Sequence, residues 1–203
     1  MPDVVFKNIG LQEYTDVWQS MKEFTAQRDA NTVDEIWFVQ HPPVYTLGLN
    51  GKKDHLINPS SIPLVKIDRG GQITYHAPGQ LIAYCMINLK QRGYGIKEFV
   101  LRLQECIQQL LSMYHIQSHL MDKAPGVYVD NKKIAALGLR VKRDCTYHGL
   151  SLNIDMDLQP FSDINPCGYT NLEVSQLSDF GVPDSVDTVI DNFKPILKKI
   201  IYA

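Results

Sequence analysis

The run LIAYCMINL, residues 81–89, constrains the fold more than any other stretch of the chain. Nearly every residue in it is apolar, and no alternation divides it into an inner and an outer side. Such a run is a strand buried on both faces, or another buried segment of the core. Three amphipathic stripes can cover it. Leu11, Tyr14, Trp18 and Met21 recur at spacings of three and four and predict a helix to about Asn31. Phe99, Val100, Leu103, Ile107, Leu110, Leu111 and Tyr114 form a stronger stripe from Ile96. Val189, Ile190, Phe193, Leu197 and Ile200 form a third over 186–202, with Pro195 as a candidate kink.

Between the stripes lie short β-rich segments: DVVFKNIG, EIWFVQ, VYTLG, LVKID, GVYV, KIAALGLRV and TYHGLSLNI. Asp130-Asn131, a good turn pair, joins two of them and predicts a hairpin. Residues 50–63 read as a loop. A chain of 203 residues suffices for one substantial domain. The expectation is a single domain over 1–203 of α/β (α+β) class. Its sheet is mixed and largely antiparallel, flanked by helices, with a smaller helix-bearing part at the C-terminal end.

Lys+Arg total 20 against Asp+Glu 22, a formal charge of -2, so no basic excess points to nucleic acid. The N-terminus lacks a basic stretch followed by a long apolar run, and nothing approaches a membrane span. Cys85, Cys106, Cys145 and Cys167 show no Cys-x-x-Cys spacing, which fits a cytoplasmic protein with free thiols.

Four segments carry chemistry. RGGQITYHAPGQ (69–80) places Gly70 and Gly71 after Arg69, where backbone amides can approach a ligand; a tight hairpin with a solvated arginine accounts for it equally well. No Gly-Lys-Ser/Thr follows, so it is not a phosphate-binding Walker loop. In DNKKIAALGLRVKR (130–143), Lys132 reads as a solvated turn residue. Lys133 opens an apolar run, either as a snorkelling side chain or as a partly desolvated amine. TYHGLSLNIDMDLQPF (146–161) carries His148, a structural histidine or a general base. Its Asp155 and Asp157 lack a metal-ligand cluster around them. INPCGYTN (164–171) holds Cys167 between proline and glycine, on a tight turn that either packs or presents its sulfur. Lys133, His76 and His148 are the candidate cations that would favour its thiolate.

These four segments, in this order, resemble the lipoyl(octanoyl) transferases of lipoate biosynthesis, over about Val39 to Leu177. The departures are Ser151, where alanine is commoner, and Thr170-Asn171, where a small pair such as Ala-Gly is commoner. The resemblance implies the biotin/lipoate protein ligase fold. It implies transfer of an octanoyl group from octanoyl-acyl carrier protein to a lysine of lipoyl domains of 2-oxoacid dehydrogenases or of the glycine-cleavage carrier protein. It makes Cys167 the acyl thioester and Lys133 its proton partner. It places Arg69, Gly70, Gly71, Gln72, Ile73, Thr74, Tyr75 and His76, then Ala136, Leu137 and Gly138, then Gly149, Leu150 and Ser151, around the substrate. A thioester donor needs no ATP, so no cofactor or metal is expected, nor a nucleic-acid or membrane partner, and the expected state is a monomer. Three rivals stand beside this reading: an ATP-dependent lipoate or biotin ligase, a cysteine hydrolase using His148, and a non-catalytic module binding a carrier protein.

Overall fold

The computed structural model describes residues 4–58, 60–121, 124–165 and 173–202. In chain order the elements are β1 (Val4–Leu11), α1 (Tyr14–Gln27), β2 (Asp34–Gln40), β3 (Val44–Leu47), β4 (Leu64–Lys66), β5 (Ile73–His76) and β6 (Gln80–Met86). They continue with α2 (Leu89–Arg92), α3 (Ile96–Met113), β7 (Gly126–Val129), β8 (Lys132–Lys142), β9 (Cys145–Asn153) and α4 (Val186–Tyr202). The strands form two sheets. One has six strands in the order β1-β2-β6-β9-β8-β7, and the other has three in the order β4-β3-β5. Both are mixed: β1 runs parallel to β2 and β4 parallel to β3, and the remaining pairs are antiparallel.

The LIAYCMINL run divides between β6 and the start of α2, where Asn88 caps the helix by accepting from the Gln91 amide. Every residue of β6 is buried, although the strand is antiparallel to both neighbours. Runs of this kind are commonest in parallel sheets. Here the cause is the layering. Leu81, Ala83 and Cys85 face a core built with α3 and α4. Ile82, Tyr84 and Met86 face a second core built with Tyr14, Val17 and Met21 of α1.

The predicted stripes of α3 and α4 pack into the core; in α1 Tyr14 and Met21 are buried as expected, but Trp18 is only half-buried beside a buried Val17, Leu11 ends β1 exposed, and the helix stops at Gln27, short of Asn31. Pro195 lies inside α4, which continues to Tyr202. α4 packs on α3 and on β6, so the C-terminal helix shares the main core instead of forming a separate part. Asp130 and Asn131 both have positive φ, 48° and 65°, as the two-residue turn of the β7–β8 hairpin requires. The β4-β3-β5 strands form a sheet of their own instead of joining the one mixed sheet expected from the sequence. No helix of the described residues is long and apolar enough to cross a membrane.

Candidate active site

A cavity of about 810 Å³, its open mouth included, lies between the two sheets. β8 and β9 form its floor with β6, β5 walls one side, and Tyr14 reaches in from α1. Strand pairing sets the floor in rows. Tyr84, Gly149 and Gly138 lie side by side, as do Ile82, Ser151 and Ala136. Directly paired residues share a face. These rows therefore face the cavity, and the alternate row of Ala83, Leu150 and Leu137 faces α3 and α4.

Strict alternation along β8 would put Lys133 with Ala135 and Leu137, away from the cavity. A bulge prevents this. Tyr128 pairs with Lys133 while Val127 pairs with Ala135, so Ile134 is an extra residue in the ladder. The added residue turns Lys133 to the face of Ala136 and Gly138. Lys133 is only 6% exposed; its Nζ lies 3.4 Å from the Pro125 carbonyl and 5.4 Å from the centre of the Tyr128 ring. Its backbone amide donates to Glu173 O at 2.9 Å, and its carbonyl accepts from the Ser175 amide at 3.0 Å. The chain on the C-terminal side of Cys167 is thus laced to Lys133. Lys132 points the other way, to solvent, paired with Glu173 at 3.2 Å.

Arg69 lies across Gly138. A Cβ on Gly138 would stand 3.1 Å from Arg69 Cδ, and one on Gly48 2.9 Å from its guanidinium, so both glycines make room for the arginine. Its guanidinium donates to Thr46 O at 2.8 Å, Thr46 Oγ1 at 2.9 Å and Gly70 O at 3.0 Å. The Gly70 amide donates to Leu139 O, joining the loop to the β8 edge.

His76 is an uncharged imidazole. Burial pushes its pKa down to about 3, with His41 nearby adding to the shift. The Gln80 amide nitrogen donates to Tyr75 O and to Asn153 Oδ1, so Gln80 Oε1 accepts from His76 Nδ1 at 2.7 Å. Thr46 Oγ1, already accepting from Arg69, can donate to His76 Nε2 at 3.4 Å. Asn153 Nδ2 in turn donates to Ser175 O at 2.9 Å. One directed chain of hydrogen bonds therefore runs from Arg69 to Ser175. His76 is in this chain for structure and supplies no positive charge, which removes it as the cation for a thiolate.

His148 sits at the other end of the floor from Lys133. Its φ of 61° is left-handed, which histidine adopts more readily than most side chains. The twist brings its ring beside Tyr147 on the α1 side. Asp68 accepts from His148 Nε2 at 3.0 Å, from Trp18 Nε1 at 2.9 Å and from the Tyr147 hydroxyl. Burial opposes the charge on Asp68, but these three donors outweigh it and hold the carboxyl below its usual range. Burial also lowers the pKa of His148 against the pull of Asp68. The ring is thus neutral, with its proton on Nε2. Nδ1 is buried and has no hydrogen-bond partner among the described residues.

The cavity gathers most of the residues picked from sequence: Arg69, Gly71, Gln72, Ile73, Thr74, His76, Lys133, Ala136, Leu137, Gly138, Gly149, Leu150 and Ser151. Gly70 and Tyr75 lie outside its lining. Tyr75 turns to the opposite side of β5 and packs on Tyr45 and Phe161. Gly149 is glycine for a reason apart from any ligand: a Cβ there would stand 1.9 Å from Ala83 O. Cys167 lies outside the described residues. Tyr14, Ile82, Tyr84, Pro125 and Val174 line the cavity from beyond the four segments, and Asn153 and Phe161 line it from within the third. Tyr84 carried a usable signal, because a tyrosine inside a doubly buried strand must find a partner for its hydroxyl. That partner is His41, at 2.8 Å.

This architecture is found in solved structures of lipoate and biotin protein ligases. The bipartite lipoate protein ligase of Thermoplasma acidophilum superposes with a TM-score of 0.80 at 14% identity, over 100% of this chain and 85% of that one. The biotin protein ligase of Aquifex aeolicus gives a TM-score of 0.56 at 11% identity, over 99% and 70%. The lipoyl protein ligase A/B catalytic domain family model matches residues 13–198. The octanoyltransferase of Thiobacillus denitrificans is 51% identical over 202 residues, covering 100% of this chain and 93% of that protein. The chain belongs to the lipoyl(octanoyl) transferase family, a family of transferase enzymes.

Proposed function

We propose that the protein moves an octanoyl group from octanoyl-acyl carrier protein to a lysine of a lipoyl domain, through a thioester on Cys167. The observation that carries this reading is the placement of Lys133. It is buried, turned into an apolar cavity by the Ile134 bulge, and bonded through its backbone to Glu173 and Ser175, shortly after Cys167 in the chain. The other cysteines make poor nucleophiles. Cys85, Cys106 and Cys145 are buried outside the cavity lining, and burial pushes the Cys85 thiol up to about 12.

In the first half-reaction the Cys167 thiolate attacks the carbonyl of the donor thioester. The new C–S bond forms as the carrier's thiolate leaves, and that thiolate takes a proton from the Lys133 ammonium. In the second half, the neutral amine of the acceptor lysine attacks the Cys167 thioester. The amide forms, its proton passes to the Lys133 amine, and Cys167 leaves as thiolate. The pair returns to its starting state without ATP. Ile73, Ile82 and Ala136 offer the acyl chain apolar surface, with roughly 0.8 kcal/mol gained per buried methylene.

The test is an intact-mass measurement after incubation with octanoyl-acyl carrier protein. One octanoyl group, removable by hydroxylamine and mapped to Cys167, is the expected result. A mass shift on Cys85, Cys106 or Cys145 would overturn the assignment. Product formed only with free octanoate and ATP would favour an adenylating ligase.

A further inference from the structure

Lys133 stands where one strand pairing stops and another begins. Toward β9, the ladder of β8 ends at Ala135, which pairs with Leu152. Past Asn153 the β9 chain turns away, and the Ile154 and Asp155 amides both donate to Gly79 O at 3.1 Å. The edge of β8 at Lys133 is covered instead by residues 173–175, with Val174 in a parallel bridge to Lys133. Two backbone bonds make this bridge, from the Lys133 amide to Glu173 O and from the Ser175 amide to Lys133 O. On its other edge Lys133 pairs with Tyr128, but there the Ile134 bulge interrupts the ladder. The backbone that carries the lysine therefore leans on a short segment that forms no strand of its own.

Asn153 joins that segment to β9. Its Nδ2 donates to Ser175 O at 2.9 Å, which carries the pairing past the point where the β9 main chain leaves. Bonds from Met156 to Gln176 and from Ser178 to Ile154 hold the chain further along; among the described side chains, Asn153 is the one bonded to Ser175. The direction of its two bonds is fixed. Tyr75 O and Ser175 O can only accept. Gln80 Nε2 donates to Tyr75 O and to Asn153 Oδ1, so Asn153 meets Ser175 with its nitrogen. Asn153, Gln80 and Ser175 are 5%, 1% and 1% exposed. Position 153 thus calls for one acceptor and one donor in a buried place. An amide supplies both, a carboxylate only accepts, and an aliphatic side chain does neither.

We propose that Asn153 is a positioning residue for transfer: its amide sets Ser175, and Ser175 sets the backbone from which the Lys133 side chain enters the cavity. The proposal rests on the octanoyl-transfer reading, which gives Lys133 its work as acid and base. Proton transfer runs over hydrogen-bond distance, so a small shift of the lysine's base is felt at its amine.

Two measurements on the full chain test this. The first is amide hydrogen exchange in the unaltered and Asn153→Ala proteins, with the β6 amides as the reference for global opening. Beyond any change in β6, the Ser175 and Lys133 amides should exchange about three- to tenfold faster, the worth of one lost hydrogen bond. Unchanged exchange at Ser175 overturns the proposal. The second is transfer from octanoyl-acyl carrier protein. Asn153→Ala should lower kcat about 10- to 10²-fold, as a small misplacement does, and leave KM for the donor nearly unchanged. In the Lys133→Ala background the same substitution should cost less than about twofold, because the group it positions is gone. Equal fractional losses in both backgrounds, or full activity of Asn153→Ala, overturn the proposal. Should Asn153→Ala fail to fold, Asn153→Ser is the milder truncation and carries the same tests. If the unaltered protein moves no octanoyl, the transferase reading falls, and faster exchange still makes Asn153 the residue that holds the Lys133 backbone. If it transfers and the two substitutions act independently, the positioning role falls and the transferase reading stands.

Discussion

Gly126 leaves open the space that the Lys133 stem occupies: a Cβ at position 126 would stand 2.9 Å from Lys133 Cε and 3.3 Å from its Cδ. The same Cβ would lie 2.8 Å from the Ala135 carbonyl oxygen, so the backbone cannot give way for it. α3 pins the site from behind, with Gln104 Nε2 donating to Gly126 O at 3.0 Å. Gly126→Ala should therefore displace the lysine and cost about 1–3 kcal/mol of stability through overpacking. Transfer should fall further than stability does. A urea titration alongside a transfer assay separates the two effects, and a fully active Gly126→Ala protein would contradict this account.

Lys133→Ala should slow transfer by about 10²–10⁴-fold, the usual worth of a positioned acid or base. Lys133→Arg should preserve iodoacetamide labelling of Cys167 near neutral pH yet turn over poorly, because guanidinium does not release a proton there. Lys132→Ala should leave both unchanged, since Lys132 faces solvent and its pairing with Glu173 is exposed. Loss of transfer in the Lys132 variant would mean that the wrong lysine has been assigned.

Gly149→Ala should destabilise the fold by about 3 kcal/mol or more. Its Cβ would meet Ala83 O at 1.9 Å, across the β6–β9 ladder. The loss should appear in the denaturation midpoint at every substrate concentration. A stable Gly149→Ala protein with altered acyl preference would instead make Gly149 a substrate contact.

His41 and His76 are buried as neutral rings, with pKa values pushed down by burial to about 4 and about 3 from an ordinary 6.5. Because the unfolded chain binds these protons first, the contribution of both rings to stability is complete above pH 6.5. It is lost as pH falls from 6.5 toward 4 and 3. The limiting slope for the two together is about 2.7 kcal/mol per pH unit. Urea midpoints at pH 7.5, 5.5 and 4.5 should fall in that order, and His76→Gln should flatten the decline. A midpoint constant down to pH 4.5 would show that the rings are not held neutral.

The layering was legible in the sequence because burial leaves periodic marks. Most of the doubly buried run is β6, two stripes are the packed faces of α3 and α4 and the third is that of α1 without Leu11, and Asp130-Asn131 makes its turn. The separate β4-β3-β5 sheet was not legible, since strand segments do not state which partners they choose. In the site, the motifs found the floor and the loop, whereas Tyr14 and Tyr84 come from segments whose pattern says only that they are buried, and Asn153 sits inside a motif without a chemical mark of its own. Gly149 was picked for a substrate and is required by a neighbouring carbonyl. Local patterns fix which residues are inside; they do not record what touches them there.

The extra residue at Ile134 has a bearing on any attempt to graft this hairpin into a relative. The facing of Lys133 depends on the bulge that leaves Ile134 out of the ladder between it and Ala136, so the lysine is not portable by itself. Absorbing Ile134 into a regular ladder would exchange the facing of Lys132 and Lys133 without changing any amino acid, whereas deleting Ile134 would leave Lys133 on the face of Ala136. Residues 126–136 have to travel as a unit, with Gly126, the turn and the bulge together, for a transplanted lysine to arrive on the cavity side.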